Sequence, residues 1–161
     1  MKNYLQFLES INQKKIYYHG SGTPIVGKFK PTESKRGLTG QVYKNQIYFF
    51  TDDIRVAEIF AKDRSTDGKG FITRVYLSVS NTLDLSEDED FVDEFLKNKL
   101  FPEQKEWEGD VYLEQVWTWF DDPEVVEKVK GMGYDSVKLA EPILDSTSIG
   151  VFDPDKIHII S

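Results

Sequence analysis

Short apolar runs near both ends of the chain enclose a middle whose apolar residues recur at helical spacing, and this order most limits the fold. Ile16-Tyr17-Tyr18, Gln46 to Phe50 and Phe71 to Val79 read as strands in the first half. Tyr134 to Leu139, Ser148 to Phe152 and Lys156 to Ile160 read as strands in the last part, with Asp153-Pro154-Asp155 as a turn. Between the two groups, Asp88 to Lys97 and Val111 to Phe120 read as helices. Asp122-Pro123-Glu124 opens another, with Asp as N-cap and proline at the first helical position, ending near Gly131. Strands that bracket helices, rather than alternating with them one for one, predict an α+β fold and not a doubly wound βαβ chain.

The remaining segments fill in this frame. Tyr4, Leu8 and Ile11, with Leu5 and Phe7 alongside, predict an amphipathic helix within residues 1–14, ahead of the first strand. Thr51-Asp52-Asp53 is an N-cap cluster for a helix carrying Ile54, Ala57, Phe60 and Ala61 on one face. Gly20 to Asn45 is rich in Gly, Thr, Ser, Pro and Lys and reads as a long loop, inside which Lys35-Arg36-Gly37 forms a basic patch. Ser65 to Gly70 is a second loop, and Asn81 to Ser86 a turn with a short extended piece. At 161 residues, one domain spanning 1–161 is expected, large enough to bury a core without staples.

Composition removes several kinds of chemistry. With no cysteine, disulfides, thiolate metal sites and thiol nucleophiles are excluded, and two histidines, His19 and His158, do not make a histidine cage, so no metal is expected. No apolar run approaches the ~20 residues of a membrane span, and Met1-Lys2-Asn3-Tyr4 does not begin a signal peptide, so a soluble, cytoplasmic protein is expected. A net charge of −8 argues against a broad basic face for nucleic acid. The acidic stretch Asp84 to Glu94 reads as a solvated helix start, with Asp84, Glu87 and Asp88 favourable to the helix dipole. Aromatic residues, at 14%, exceed what a minimal core needs and suit a pocket for a flat ligand. Trp117 and Phe120, three apart, are expected in the core and Trp119 on the surface, while His158, among isoleucines, reads as structural. Gly22, Gly27, Gly37 and Gly40 form no phosphate-cradling pattern before a helix.

His19-Gly20-Ser21 is the most telling local feature, an imidazole at a strand end beside a glycine whose backbone a ligand can approach. Alone it is a turn. In order with it come Ile47-Tyr48-Phe49-Phe50-Thr51 and a helix bearing Ala57 and Phe60. Val75 to Leu85, Gly133-Tyr134-Asp135-Ser136-Val137 and Ile149 to Ile157 follow. Together these resemble the ADP-ribosyltransferase family, in its histidine-tyrosine-glutamate subclass and closest to the phage-borne, polyvalent-protein branch, from Ile16 to Ile160. The resemblance implies a split β-sheet core with helices inserted between strands.

It also implies roles. NAD would be a co-substrate, with His19 bonding a ribose hydroxyl, the Gly20 backbone holding the nicotinamide carboxamide, and Ser21 beside them. Two aromatics would sandwich the cationic nicotinamide ring. Phe60 is the second of these; the first is Tyr48 or Phe49, since successive strand residues face opposite ways. Thr51 would shape the ribose pocket and Arg36 or Lys35 would reach the pyrophosphate. The family's charge-bearing glutamate falls on Ser148, which can donate a hydrogen bond but carries no charge. Losing such a contact costs about 3 kcal/mol. Asp145, Glu141, Glu114 and Asp84 are the carboxylates that could substitute, Asp145 being nearest in sequence.

The activity implied is mono-ADP-ribosyl transfer from NAD to a macromolecular acceptor, a protein in the first instance with nucleic acid also open, and with release of nicotinamide. The alternative is a weak or inactive relative that binds NAD or a host protein. A third reading, action on a 2′-phosphate of RNA, lacks the basic residues it needs.

Overall fold

The computed structural model describes residues 15–30, 33–36, 41–44, 47–107, 109 and 111–160, and of 33–36 and 41–44 only the main chain. The helix expected in 1–14 lies outside these residues. The strands are β1 (Tyr17–Ser21), β2 (Glu33–Arg36), β3 (Gln41–Lys44), β4 (Tyr48–Thr51), β5 (Phe71–Leu77), β6 (Thr82–Leu85), β7 (Ser136–Glu141), β8 (Ser146–Val151) and β9 (Ile157–Ile159). Seven of them form one mixed sheet in the order β6-β7-β8-β4-β1-β5-β9, and β2 pairs with β3. The architecture is α+β, as the sequence predicts.

The α-helices start where side-chain carboxylates can take the first free N–H groups. Asp53 caps α1 (Ile54–Arg64) by accepting from the Arg55 N–H, and Asp88 caps α2 (Glu89–Phe95) by accepting from the Phe91 N–H. Asp122 caps α3 (Pro123–Gly131), with Pro123 in the first turn as expected. Leu96–Leu100 continues α2 as a π-helical turn, which keeps Leu96 and Leu100 buried with Val92 and Phe95.

One expectation is corrected in the loops, and one is borne out there. Part of the long loop is a hairpin, because β2 and β3 register from Glu33↔Lys44 to Arg36↔Gln41. Their sequences, ESKR and QVYK, carry almost no apolar alternation to signal it. The extended piece near Asn81 is β6, which pairs in parallel with β7 from Thr82↔Ser136 to Leu85↔Leu139. Asp135 ties the two strand starts together, accepting from the main-chain N–H groups of Ser80 and Asn81, the Ser136 hydroxyl and the Lys156 ammonium.

A second correction concerns residues 111–120, which form a 3-10 helix over Leu113–Asp121. A 3-10 turn holds three residues, so Leu113, Val116 and Trp119 fall in line. Trp119 is half-buried, packed against Phe101 and Trp107, while Trp117 is 42% exposed, the reverse of the expectation for the pair. Phe120 is buried as expected.

The sheet has a core cluster on each face. Leu83, Leu85, Val137 and Leu139 pack with Val92, Leu96, Leu100, Val116, Val125, Val126 and Val129 of the helical region. Each such side chain, at 2% exposure or less, contributes about 1.5–3 kcal/mol by burial. On the other face Tyr48, Phe50, Ile149, Val151, Val75 and Ile157 pack around Phe29. Helix α1 lies on the first face too, against β1. There a Cβ on Gly20 would stand 2.1 Å from the Ala57 carbonyl oxygen, so only glycine lets helix and strand backbones approach this closely.

Candidate active site

The sheet is nearly interrupted between β1 and β4, which register only at Tyr18↔Thr51. By contrast, β1 registers with β5 over five pairs and β4 with β8 over four. A cavity of about 420 Å³ stands over this seam, within the range of small-molecule sites. Its floor is one cross-strand row, Tyr18, Thr51, Ser148 and Leu139, in register across β1, β4, β8 and β7. One wall is α1, through Ala57, Phe60 and Arg64; the other is the 3-10 helix, through Trp117 and Asp121.

His19 closes the seam with its side chain where the ladder does not. Its Nδ1 lies 2.8 Å from the Phe49 carbonyl oxygen, and the ring stands edge-on to Phe29 at 5.0 Å and tilted against Phe50 at 5.6 Å. A carbonyl only accepts, so Nδ1 carries the proton and Nε2 of the neutral ring is left as an acceptor. Burial pushes the imidazole pKa below its ordinary value, opposed by the Phe49 hydrogen bond and assisted by the nearby Arg64 charge. The ring is thus neutral at pH 7, with a fixed tautomer.

Of the residues expected in the site, His19, Gly20, Phe49, Thr51, Phe60 and Ser148 all border this one cavity. Of Tyr48 and Phe49, Phe49 borders the cavity. Tyr48 is buried in the Phe29 cluster on the opposite face, where burial raises its pKa, and does not border the cavity. Gly150, opposite Phe49 in register, leaves room for that ring, since a Cβ there would meet Phe49 Cε1 at 3.0 Å. Ser21 also stands off the cavity, buried, its hydroxyl donating to the Thr23 carbonyl. Arg36 ends β2, but its side chain, like that of Lys35, is not among those described.

The carboxylates sort differently from their order in the sequence. Asp145 is exposed, with a left-handed main chain (φ 51°), and does not border the cavity; nor do Glu114 and Asp84. Glu141 does. Its Oε2 accepts from the Ser148 hydroxyl at 3.2 Å and its Oε1 from the Ile143 N–H at 3.3 Å. Among the residues not expected here, Arg64 is one helical turn beyond Phe60. Its guanidinium carbon stands 5.0 Å from the Phe60 ring centre, and its Nη1 donates to the Gly20 carbonyl at 3.0 Å. Burial of the guanidinium head lowers its pKa, with Glu141 opposing, although the residue as a whole is exposed. The spacing of Phe60 and Arg64, four apart on a helix, was the available signal for this pair. His158 lies elsewhere, bonded to the Ser78 hydroxyl.

A seven-stranded mixed sheet with helices packed on one face and an aromatic-lined cleft over its seam is consistent with an ADP-ribosyltransferase-like fold. The family model described as ADP-ribosyltransferase in polyvalent proteins matches residues 13–161, and the chain belongs to that family. No curated protein and no solved structure matches it significantly. Among the described residues no helix is long and apolar enough to cross a membrane.

Proposed function

We propose that this chain is an NAD-dependent mono-ADP-ribosyltransferase, releasing nicotinamide and passing ADP-ribose to a macromolecular acceptor, a protein in the first instance. The observation that carries the reading is the convergence of His19, Gly20, Phe49, Thr51 and Phe60 on one cavity, in a chain of this family.

The donor set suits such a ligand. A planar cation with N–H donors already rests there, because the Arg64 guanidinium covers Phe60 and donates to Gly20. The nicotinamide ring of NAD is likewise flat and positively charged, and its amide carries N–H donors, so the aromatic face and the carbonyl suit them. Neutral His19 offers Nε2 to a ribose hydroxyl, and the Thr51 hydroxyl, at the strand end, adds a second polar group. Phe49 and Trp117 supply apolar surface that keeps water from the reacting carbon. When bound, NAD supplies a glycosidic bond to a cationic leaving group.

The second reading, a module that binds NAD without turnover, draws on the uncharged Ser148 at the position where the family pattern has glutamate. Incubation with NAD labelled on the adenine, with and without lysate, separates the two. Transfer predicts label on a macromolecule together with free nicotinamide. His19→Ala is expected to abolish both while leaving the circular dichroism spectrum unchanged. Binding of NAD with no nicotinamide release would select the second reading, and full activity of His19→Ala would mean that the pocket is wrongly assigned.

A further inference from the structure

We propose that Glu141 is the charge-bearing carboxylate of this site and that Ser148 is the residue that positions it; this rests on the transferase reading above. The register of β7 on β8 places the two side chains together. Leu139 faces Ser148 and Glu141 faces Ser146, so Glu141 lies on the same sheet face as Leu139, diagonal to Ser148. Diagonal neighbours are within reach of a long side chain. The reach is made, and the serine hydroxyl donates to Glu141 Oε2 at 3.2 Å. Ser148 itself is buried, at 8% exposure, in the row of Tyr18, Thr51 and Leu139 that floors the cavity. With the Ile143 N–H on the other oxygen, both carboxylate oxygens are held from the protein side.

Electrostatics gives that arrangement a use. As the bond from the ribose carbon to the nicotinamide nitrogen breaks, its electron pair leaves with the ring, which becomes neutral, and positive charge moves to the ribose carbon and ring oxygen. A lone pair from the acceptor then forms the new bond to that carbon, and the acceptor's proton passes to solvent. A fixed carboxylate in a partly dry cleft stabilises this charge more than the same group in water. Of the described carboxylates only Glu141 and Asp121 border the cavity. Glu141 is bonded to Ser148 of the floor, and Asp121 lies on the rim helix.

A glutamate at 148 beside Glu141 would set two like charges together, which disfavours ionisation of one of them. Serine at 148 avoids this and supplies a donor. The negative charge has in effect moved one strand across.

The test uses the full chain and measures NAD affinity by calorimetry alongside single-turnover nicotinamide release. Glu141→Gln is expected to bind NAD within a few-fold of wild type and to release nicotinamide about a hundredfold more slowly. Ser148→Ala should lower kcat with KM unchanged, and Ser148→Thr, which keeps the hydroxyl, should restore it. Release by Glu141→Gln at the wild-type rate would overturn the proposal. So would loss of release in Asp121→Asn with retention in Glu141→Gln. Should Glu141→Gln not fold, a Ser148→Ala variant with unchanged kcat would overturn it instead. A wild-type chain that binds NAD and releases no nicotinamide would overturn the transferase reading, and this proposal with it.

Discussion

Arg64 places a flat cation on the face of Phe60 and an N–H on the Gly20 carbonyl, the two groups that the proposed reading gives to the nicotinamide ring and its amide. Ligand and side chain then compete for one place. Arg64→Ala is expected to bind 1-methylnicotinamide, which keeps the ring's positive charge, several-fold more tightly than wild type, read by calorimetry. Weaker binding would mean that the guanidinium serves the ligand instead of excluding it. His19 and Phe60 were legible at this scale because their neighbours in sequence carry the pattern. Glu141 was one of four carboxylates named from the sequence, ranked behind Asp145. Its nearness to Ser148 comes from the β7–β8 register, which is non-local, and Asp145, nearer in sequence, is turned away by its left-handed main chain.

Helix α1 carries Phe60 and Arg64 and is keyed to β1 by backbone approach. A methyl group at Gly20 would meet the Ala57 carbonyl oxygen at 2.1 Å and the Ala61 nitrogen at 2.8 Å, neither of which can rotate away as a side-chain tip could. Gly20→Ala is therefore expected to destabilise the fold by about 1–3 kcal/mol, through overpacking, in thermal or urea unfolding. The glycine that reads from sequence as an opening for a ligand thus has a packing reason of its own. Helices with a capping carboxylate, α1 and α3 above all, were legible because the cap is a local contact. The rim helix was misread because helical spacing in sequence does not distinguish 3.6 residues per turn from three, and the two periods exchange the places of Trp117 and Trp119. The β2–β3 hairpin was invisible because polar strands lack the alternation that marks a half-buried one.

Over the whole molecule, the order of strands and helices was readable apart from the β2–β3 hairpin, since short apolar runs and the turns between them are local signals. The joining of seven strands into one sheet was not. Parallel pairing of β6 with β7 and the single register pair between β1 and β4 depend on residues far apart in the chain. At the seam the two halves of the sheet share one pair of ladder partners and one imidazole bond, and the Phe29 cluster spans it on the face away from the cavity. A molecule lodged over that seam would touch β1 and α1 on one side and β7 and β8 on the other. Occupancy and cohesion are then the same event. NAD should raise the melting temperature in proportion to the logarithm of its concentration above Kd. It should also slow amide hydrogen exchange at Tyr18 and Thr51 more than at the ends of the sheet. Equal slowing everywhere would indicate that the ligand sits on a finished structure, and selective slowing that it serves as a missing rung between the half-sheets.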